Sequence, residues 1–459
     1  MQRIRAERSR RRAVLGVLGG LAIVAGLALA STRADALAAG GNPTFAKDVA
    51  PIFQAKCQEC HRVGSMAPMS LTTFEEVRPW VRAIKERVSA HQMPPWHIDR
   101  NVGVQKFKND MSLSDDQIDT IVRWIDSGAP MGDPKDMPAP RQWPSDNEWQ
   151  ATKLLGAPDL VIKSAQYTMI AHHQDAWFRP VNEIPIAEPR WVRAVEMRPS
   201  AAPGRRIIHH AVAYLEQDDK DPLAFPPGSA NAGGERRSML MEWAIGKQYD
   251  MYRPNTGKLL LPGAKIWWDE HIHAVGEEIT TAVQLGIWFY PKGQEPKYRT
   301  YLTAFSALKN GRAGIDLPPN TLVENEGFTV LKQAARLENF QPHMHLRGKA
   351  MELEAILPDG TNQIVARVSN FNFNWMTNYI FDDDAAPVFP KGTIIHATAW
   401  HDNTRANKNN PDPDQWVGYG DRTVDEMAHE WVNVTYISDE DYADWAAKHK
   451  PVRSTQTPQ

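Results

Sequence analysis

All of the cysteine in this 459-residue chain lies in one pentapeptide, Cys57-Gln58-Glu59-Cys60-His61. Nothing is left for disulfides elsewhere, so everything after residue 61 must fold without covalent staples. The length has room for two or three domains, and sixteen Trp supply large apolar surface for their cores. A net charge of −3, with no basic stripe beyond the N-terminus, gives no reason to expect a nucleic-acid partner.

Residues 1–39 read as a signal peptide or N-terminal anchor. The start is Arg-rich and residues 13–30 are continuously apolar. Small residues at Ala34 and Ala36 then suit a signal peptidase. The expected location is the periplasm or another extracytoplasmic space, with membrane attachment only if the segment stays uncleaved.

Residues 43–135 read as helical, and a first domain is placed over 40–133. Val77, Trp80, Val81, Ile84 and Val88 recur at the spacing of one helix face. Ser114 and Gln117 form a capping box that opens a second amphipathic helix through Ile118, Ile121, Val122 and Ile125. Gly128 and Pro130 stop it. Residues 134–150 are Pro- and Asp-rich and suit a stiff linker.

Cys57-x-x-Cys60-His61 is the attachment pattern of a c-type haem: two thiols add across the vinyl groups and the adjacent His reaches the iron. For the second axial position Met93, in Gln92-Met93-Pro94-Pro95-Trp96, is favoured. Its place before the last helix resembles that of the Met in class I cytochromes c. Met69, His91 and His97 are the competitors, and Met66 lies too close to His61 to cross to the other haem face.

From residue 151 the texture changes to short β-branched and aromatic runs such as WVRAVEM and GTIIHATAWHDN, punctuated by Pro, Gly and Asn. Turns such as Pro358-Asp359-Gly360 suggest antiparallel sandwiches. The stretch is long for one, so two are expected, over 151–315 and 316–440, with a polar tail over 441–459.

The histidines of this region are grouped. His209-His210, His271 and His273, and His343-x-His345 lie in strand-like runs, and Met427 follows in Asp425-Glu426-Met427. On a strand, His343 and His345 share a face. Adjacent His209 and His210 do not, so their joint use needs a bulge or a strand end. Imidazoles suit copper, and a thioether favours Cu(I).

The order HH, then a strand-borne His, then HxH, then Asp-Glu-Met resembles the copper type II, ascorbate-dependent monooxygenases. These include peptidylglycine α-hydroxylating monooxygenase and dopamine β-monooxygenase. The resemblance covers about residues 155–437 and implies two copper ions. One is held by His209, His210 and His271 (His273 competes for this place), the other by His343, His345 and Met427. It also implies two jelly-roll domains whose coppers face each other across a solvent-filled cleft. The chain departs from the family in having no disulfides and in carrying AVAY after His210, where a Met is usual. Residues that grip substrate are not matched. A fused haem domain, absent from the animal enzymes, resembles some bacterial relatives.

The expected fold is therefore multidomain: an all-α cytochrome c domain followed by two antiparallel β-sandwich (jelly-roll) domains. The expected activity is hydroxylation of a C–H bond with dioxygen, with haem relaying electrons to copper. Its partners would be a small-molecule or peptide substrate and an external electron donor such as a periplasmic redox protein. The alternative is a non-catalytic electron-transfer or copper-binding subunit of a periplasmic redox complex. His172, His173, His396, His401 and His429 have no matched role; His401-Asp402-Asn403 reads as a polar loop able to orient a ligand.

Overall fold

The computed structural model describes residues 41–63, 65, 67–143, 148–224, 237–244, 247, 249–308 and 314–449. The expected signal or anchor over 1–39, Met66 and the end of the polar tail lie outside these residues. No helix among the described residues is long and apolar enough to cross a membrane.

The chain divides into two compact units. The first is built from residues up to Val63, Ala67–Ala90 and Leu113–Arg141. Its helices are short: α1 Ala50–Lys56, α2 Val81–Ser89 and α3 Asp115–Asp126. Phe45 is the centre of its core, with ring centroids 5.4 Å from Phe74, 5.7 Å from Trp124 and 6.3 Å from Phe53. The Ser114–Gln117 capping box opens α3. Gly128 follows its end at a φ of 93°, and Trp124 Nε1 donates to the Pro130 carbonyl at 2.9 Å.

The single helix expected through Val77 and Val88 is broken. Phe74–Val77 is one turn, Arg78–Trp80 is 3₁₀, and α2 begins only at Val81. Pro79 has no N–H to continue the ladder, and Trp80 turns outward, 43% exposed.

Residues 134–141 of the expected linker pack with the first unit: Gln54 donates to the Ala139 carbonyl at 2.7 Å. Gln150 and Ala151 instead donate their amides to the Glu196 carboxylate in the second unit.

The second unit takes His91–Ser112 as well as the chain from Gln142 onward. Its principal strands are β1 Arg190–Pro199, β2 Ile208–Glu216, β3 Arg237–Ala244, β4 Lys265–Ile272, β5 Val283–Phe289 and β6 Tyr298–Ser306. They continue as β7 Leu322–Val330, β8 Asn339–His343, β9 Gly348–Ile356, β10 Asn362–Val368, β11 Ile394–Asp402 and β12 His429–Tyr436. A last helix, α4 Asp439–Lys448, follows.

The expected fold class is corrected on two counts. First, no all-α domain fills 40–133; the protein is mostly β, with 36% strand against 17% helix. Residues 91–112 leave the helices and lie along the β unit. The amides of Asp99, Val104 and Lys108 donate to the carbonyls of Arg367, Val365 and Ile380 at 2.8–2.9 Å. Trp96 and Phe107 pack on its core. Gly103, at a φ of 65°, is required there, because a Cβ would sit 2.2 Å from the Val365 carbonyl oxygen.

Second, the β region does not divide into two separate sandwiches near residue 315. A 16-stranded sheet runs through both halves. The connecting strand is β6, which pairs with β12 from Thr300↔Thr435 to Ser306↔His429 and meets β3 at Leu302↔Met239. A separate four-stranded sheet has the order β7–β11–β9–β10. One apolar core lies around Val195, Leu240 and Trp268, another around Phe340, Leu353 and Val432. A small cluster of Val212, Leu302, Ala304 and Trp431 joins the halves.

Candidate metal centre

His209 and His210 lie at the start of β2, opposite the end of β4. His271 pairs with His210, but the next residue, Ile272, pairs with Ile208. His209 is thus the extra residue of a bulge, which brings its ring to the side of its neighbour's. The two Nδ1 atoms approach to 3.2 Å. One ring nitrogen of each of His209, His210 and His271 lies within 4.8 Å of the others. His271 Nε2 is 2.9 Å from Asp175 Oδ2, while its buried Nδ1 has no hydrogen-bond partner. His273 sits beside the group, its ring 6.2 Å from that of His209.

His343 ends β8 and His345 lies just past it. His345 Nδ1 is 3.1 Å from the Asp425 carbonyl, which leaves Nε2 for a ligand. His343 Nδ1 is 2.9 Å from the thioether sulfur of Met376. Each group has a tryptophan face: Trp177 stacks on His271 at 4.6 Å and Trp431 on His343 at 4.8 Å.

The Asp425-Glu426-Met427 turn is tied to the HxH loop by the Glu426 carboxylate. It accepts the amides of His345 at 3.0 Å and Arg347 at 2.6 Å. Burial pushes this carboxyl up to about 8. His401 is also buried: Asn325 donates to its Nδ1 at 3.0 Å, and its Nε2 reaches the Met427 carbonyl at 3.2 Å. His401 therefore holds the backbone of a candidate ligand. His429 bonds Ser306 and Tyr419 through its two nitrogens, His396 lies between Glu326 and Glu354, and His172 and His173 are exposed.

Burial is the largest cause holding the four core imidazoles neutral. His209 and His345 are pulled down to about 4, and His210 and His343 lie well below the usual histidine range. Neutral rings are the form that ligates metal. A convergent imidazole set with an orphaned buried nitrogen fits a transition metal such as copper.

The open cleft implied by the resemblance is corrected. The rings of His210 and His343 are 6.4 Å apart, and His271, His343 and His345 are each 3% exposed. Phe373 touches both groups, 5.4 Å from His209 and 6.2 Å from His345. The apolar cluster around Val212 and Trp431 draws the two halves together.

In the first unit, Cys57 caps α1, and the amides of Cys60 and His61 return to its carbonyl. The two cysteines form no disulfide. Burial pushes the Cys57 thiol up to about 12. His61 Nδ1 is 3.2 Å from the Met69 carbonyl, so Nε2 is presented for a metal. The two thiols and the His61 Nε2 are the donor set that haem attachment would use. Met93 belongs to the second unit; the first carries Met69, Met131 and Met137 among its described residues.

Sequence reasoning missed Asp175, Arg347, Phe373, Met376, Glu426, Trp177 and Trp431. Only Glu426, inside the Asp-Glu-Met run, carried a signal.

No known protein family matches the chain, and no curated protein does. Among solved structures, it is similar to PNGF-II (9% identity, TM-score 0.28), with 60% of this chain and 65% of that one covered. The chain thus spans less than two thirds of PNGF-II's length. It is also similar to the major capsid protein P2 from bacteriophage PM2 (10% identity, TM-score 0.26, 60% and 97% covered). A third is PNGase F from Flavobacterium meningosepticum (9% identity, TM-score 0.28, 61% and 96% covered). Likenesses this low carry no argument about function.

Proposed function

We propose that this protein is an extracytoplasmic copper-dependent monooxygenase of the type II, ascorbate-dependent kind. It hydroxylates a C–H bond of a small-molecule or peptide substrate with dioxygen and takes electrons through a haem attached at Cys57 and Cys60. The observation that carries the reading is the orphaned, buried Nδ1 of His271 beside His209 and His210. A buried polar atom without a partner is costly unless something binds it.

His209, His210 and His271 hold one copper; His343, His345 and Met427 hold the other. Bound copper supplies one-electron redox chemistry and a place for dioxygen, and haem supplies a one-electron relay. Asp175 orients His271, and the Asp425 carbonyl orients His345. Trp177 and Trp431 cover one face of His271 and His343, and Phe373 lies against His209. His61 is the proximal haem ligand. The electron donor is an external one-electron carrier such as a periplasmic redox protein.

A metal count on the mature protein tests this. Two coppers per haem, with dioxygen uptake on reduction that is lost in Met427→Ile, supports the monooxygenase. Two coppers without dioxygen uptake under any reductant or substrate leaves an electron-transfer or copper-binding subunit. Absence of copper sinks both.

A further inference from the structure

A row of ionisable side chains lies inside the β unit where packing gives no reason for it. Glu242 on β3 is 1% exposed, and the Lys247 side chain that contacts it is equally enclosed. Lys247 is 3.2 Å from Asp250, 4% exposed, and Lys258 lies nearby with its ammonium on the Leu240 carbonyl at 2.6 Å. Such burial is costly, and apolar replacements would often serve stability as well.

The row has two ends. At one, Asp250 and Tyr252 line a cavity of about 30 Å³ with Arg253, Asn339 and Asn433, room for a water or two. The buried Tyr252 hydroxyl and the Asn433 Oδ1 have no protein partner among the described residues, as expected of groups that bond water. At the other end, Gln341 Nε2 donates to Glu242 at 3.0 Å, and Gln341 Oε1 is left without a partner. Alternation along β8 puts Asn339, Gln341 and His343 on one face. The strand therefore runs from the cavity wall past Gln341 to the metal group in roughly 14 Å. Trp431 lies opposite Gln341 in the register and stacks on His343.

Resting on the proposed monooxygenase reading, we propose that Asp250, Lys247, Glu242 and Gln341 form the route by which protons pass from the water-holding cavity to the dioxygen site at His343. Hydroxylation needs such a supply. One C–H bond and one dioxygen take up two electrons from the external donor and two protons. They give one C–O–H group and one water. His343 and His345 are themselves buried, each 3% exposed, so protons delivered to them need a path through the protein. The groups facing Glu242 are Lys247, Gln341 and, through Asp250, Lys258 and Tyr252. These are positioning and relay residues; none touches the reacting atoms.

The test uses the full haem- and copper-loaded protein, reduced anaerobically with a chemical one-electron reductant and mixed with dioxygen. Glu242→Gln and Gln341→Leu should keep both coppers yet slow reoxidation about tenfold or more, with a larger solvent deuterium effect. The reduced-minus-oxidised infrared spectrum of the wild type should contain a carboxyl band that moves in D₂O and is missing in Glu242→Gln. If Glu242→Gln fails to fold, Gln341→Leu and Asp250→Asn at the cavity carry the comparison. Folded, copper-loaded variants that reoxidise at the wild-type rate, or a wild type without that carboxyl band, overturn the route and leave the proposed function standing. A wild type that binds no copper removes both.

Discussion

Asp175 Oδ2 stands 2.9 Å from His271 Nε2, on the opposite side of the imidazole from the nitrogen that has no partner. A carboxylate placed there fixes the tautomer and makes the ring a better ligand. Asp175→Ala should weaken copper binding at the three-His group about 10- to 100-fold. Competition with a chelator of known affinity measures this; unchanged affinity would mean the contact does nothing for the metal.

Glu426 sets up a second, local test. Glu426→Ala leaves the amides of His345 and Arg347 unpaired in a buried turn. Each should cost roughly 1–3 kcal/mol, read from urea unfolding. Metal analysis should find one copper lost and the other, at His209, His210 and His271, retained. Loss of both or neither would show that the two groups do not behave as separate centres.

Lys258 gives the stability a pH dependence of stated sign. Burial pulls its ammonium down to about 7, against the opposing pull of Asp250. Between about 7 and the ordinary lysine value, the unfolded chain holds a proton that the folded one has released. The folded state therefore gains stability as pH rises, by at most about 1.4 kcal/mol per pH unit from this group. Below that window both states are protonated and the contribution is flat. Lys258→Met should remove the rise, and urea midpoints across neutral to alkaline pH check it.

For the haem, Cys57→Ala and Cys60→Ala should each leave one thioether bond, and His61→Ala none of the proximal ligation. Removal of the distal ligand should convert the reduced haem to high spin in its optical spectrum; Met69→Ala doing so would place that ligand within the first unit.

The grouping of His209, His210 and His271 was partly legible, because the signals that mark candidate ligands are local. His209-His210, His343-x-His345 and the Cys57–His61 motif are adjacent residues whose chemistry is stated by their type. Strand parity left a bulge or a strand end as the ways to use both His209 and His210, and the structure has the bulge. Partners contributed from far along the chain were not legible. Asp175 meets His271, Trp431 meets His343 and Phe373 meets His209 only through pairings that leave no mark in either stretch. The fold class failed for a related reason. Alternation announces a strand but not its neighbours, and β6 looks like the end of one sandwich while pairing with β12, over a hundred residues later. The helical reading of 43–135 carried 91–112 along because its flanks were helical; Trp96 and Phe107 belong to another core.

That excursion changes what can be cut from this chain. Since residues 91–112 lie along the β unit, the polypeptide passes between the two units around residue 65, at 90–91, at 112–113 and again at 141–142. A fragment ending at residue 141 would carry residues 91–112 without the strands they bond to, and a fragment beginning at 142 would lack them. The stretch that bears the haem motif is therefore not a detachable cassette. Its gene segment could not be moved to another host without taking residues 91–112 away from the β unit to which they belong.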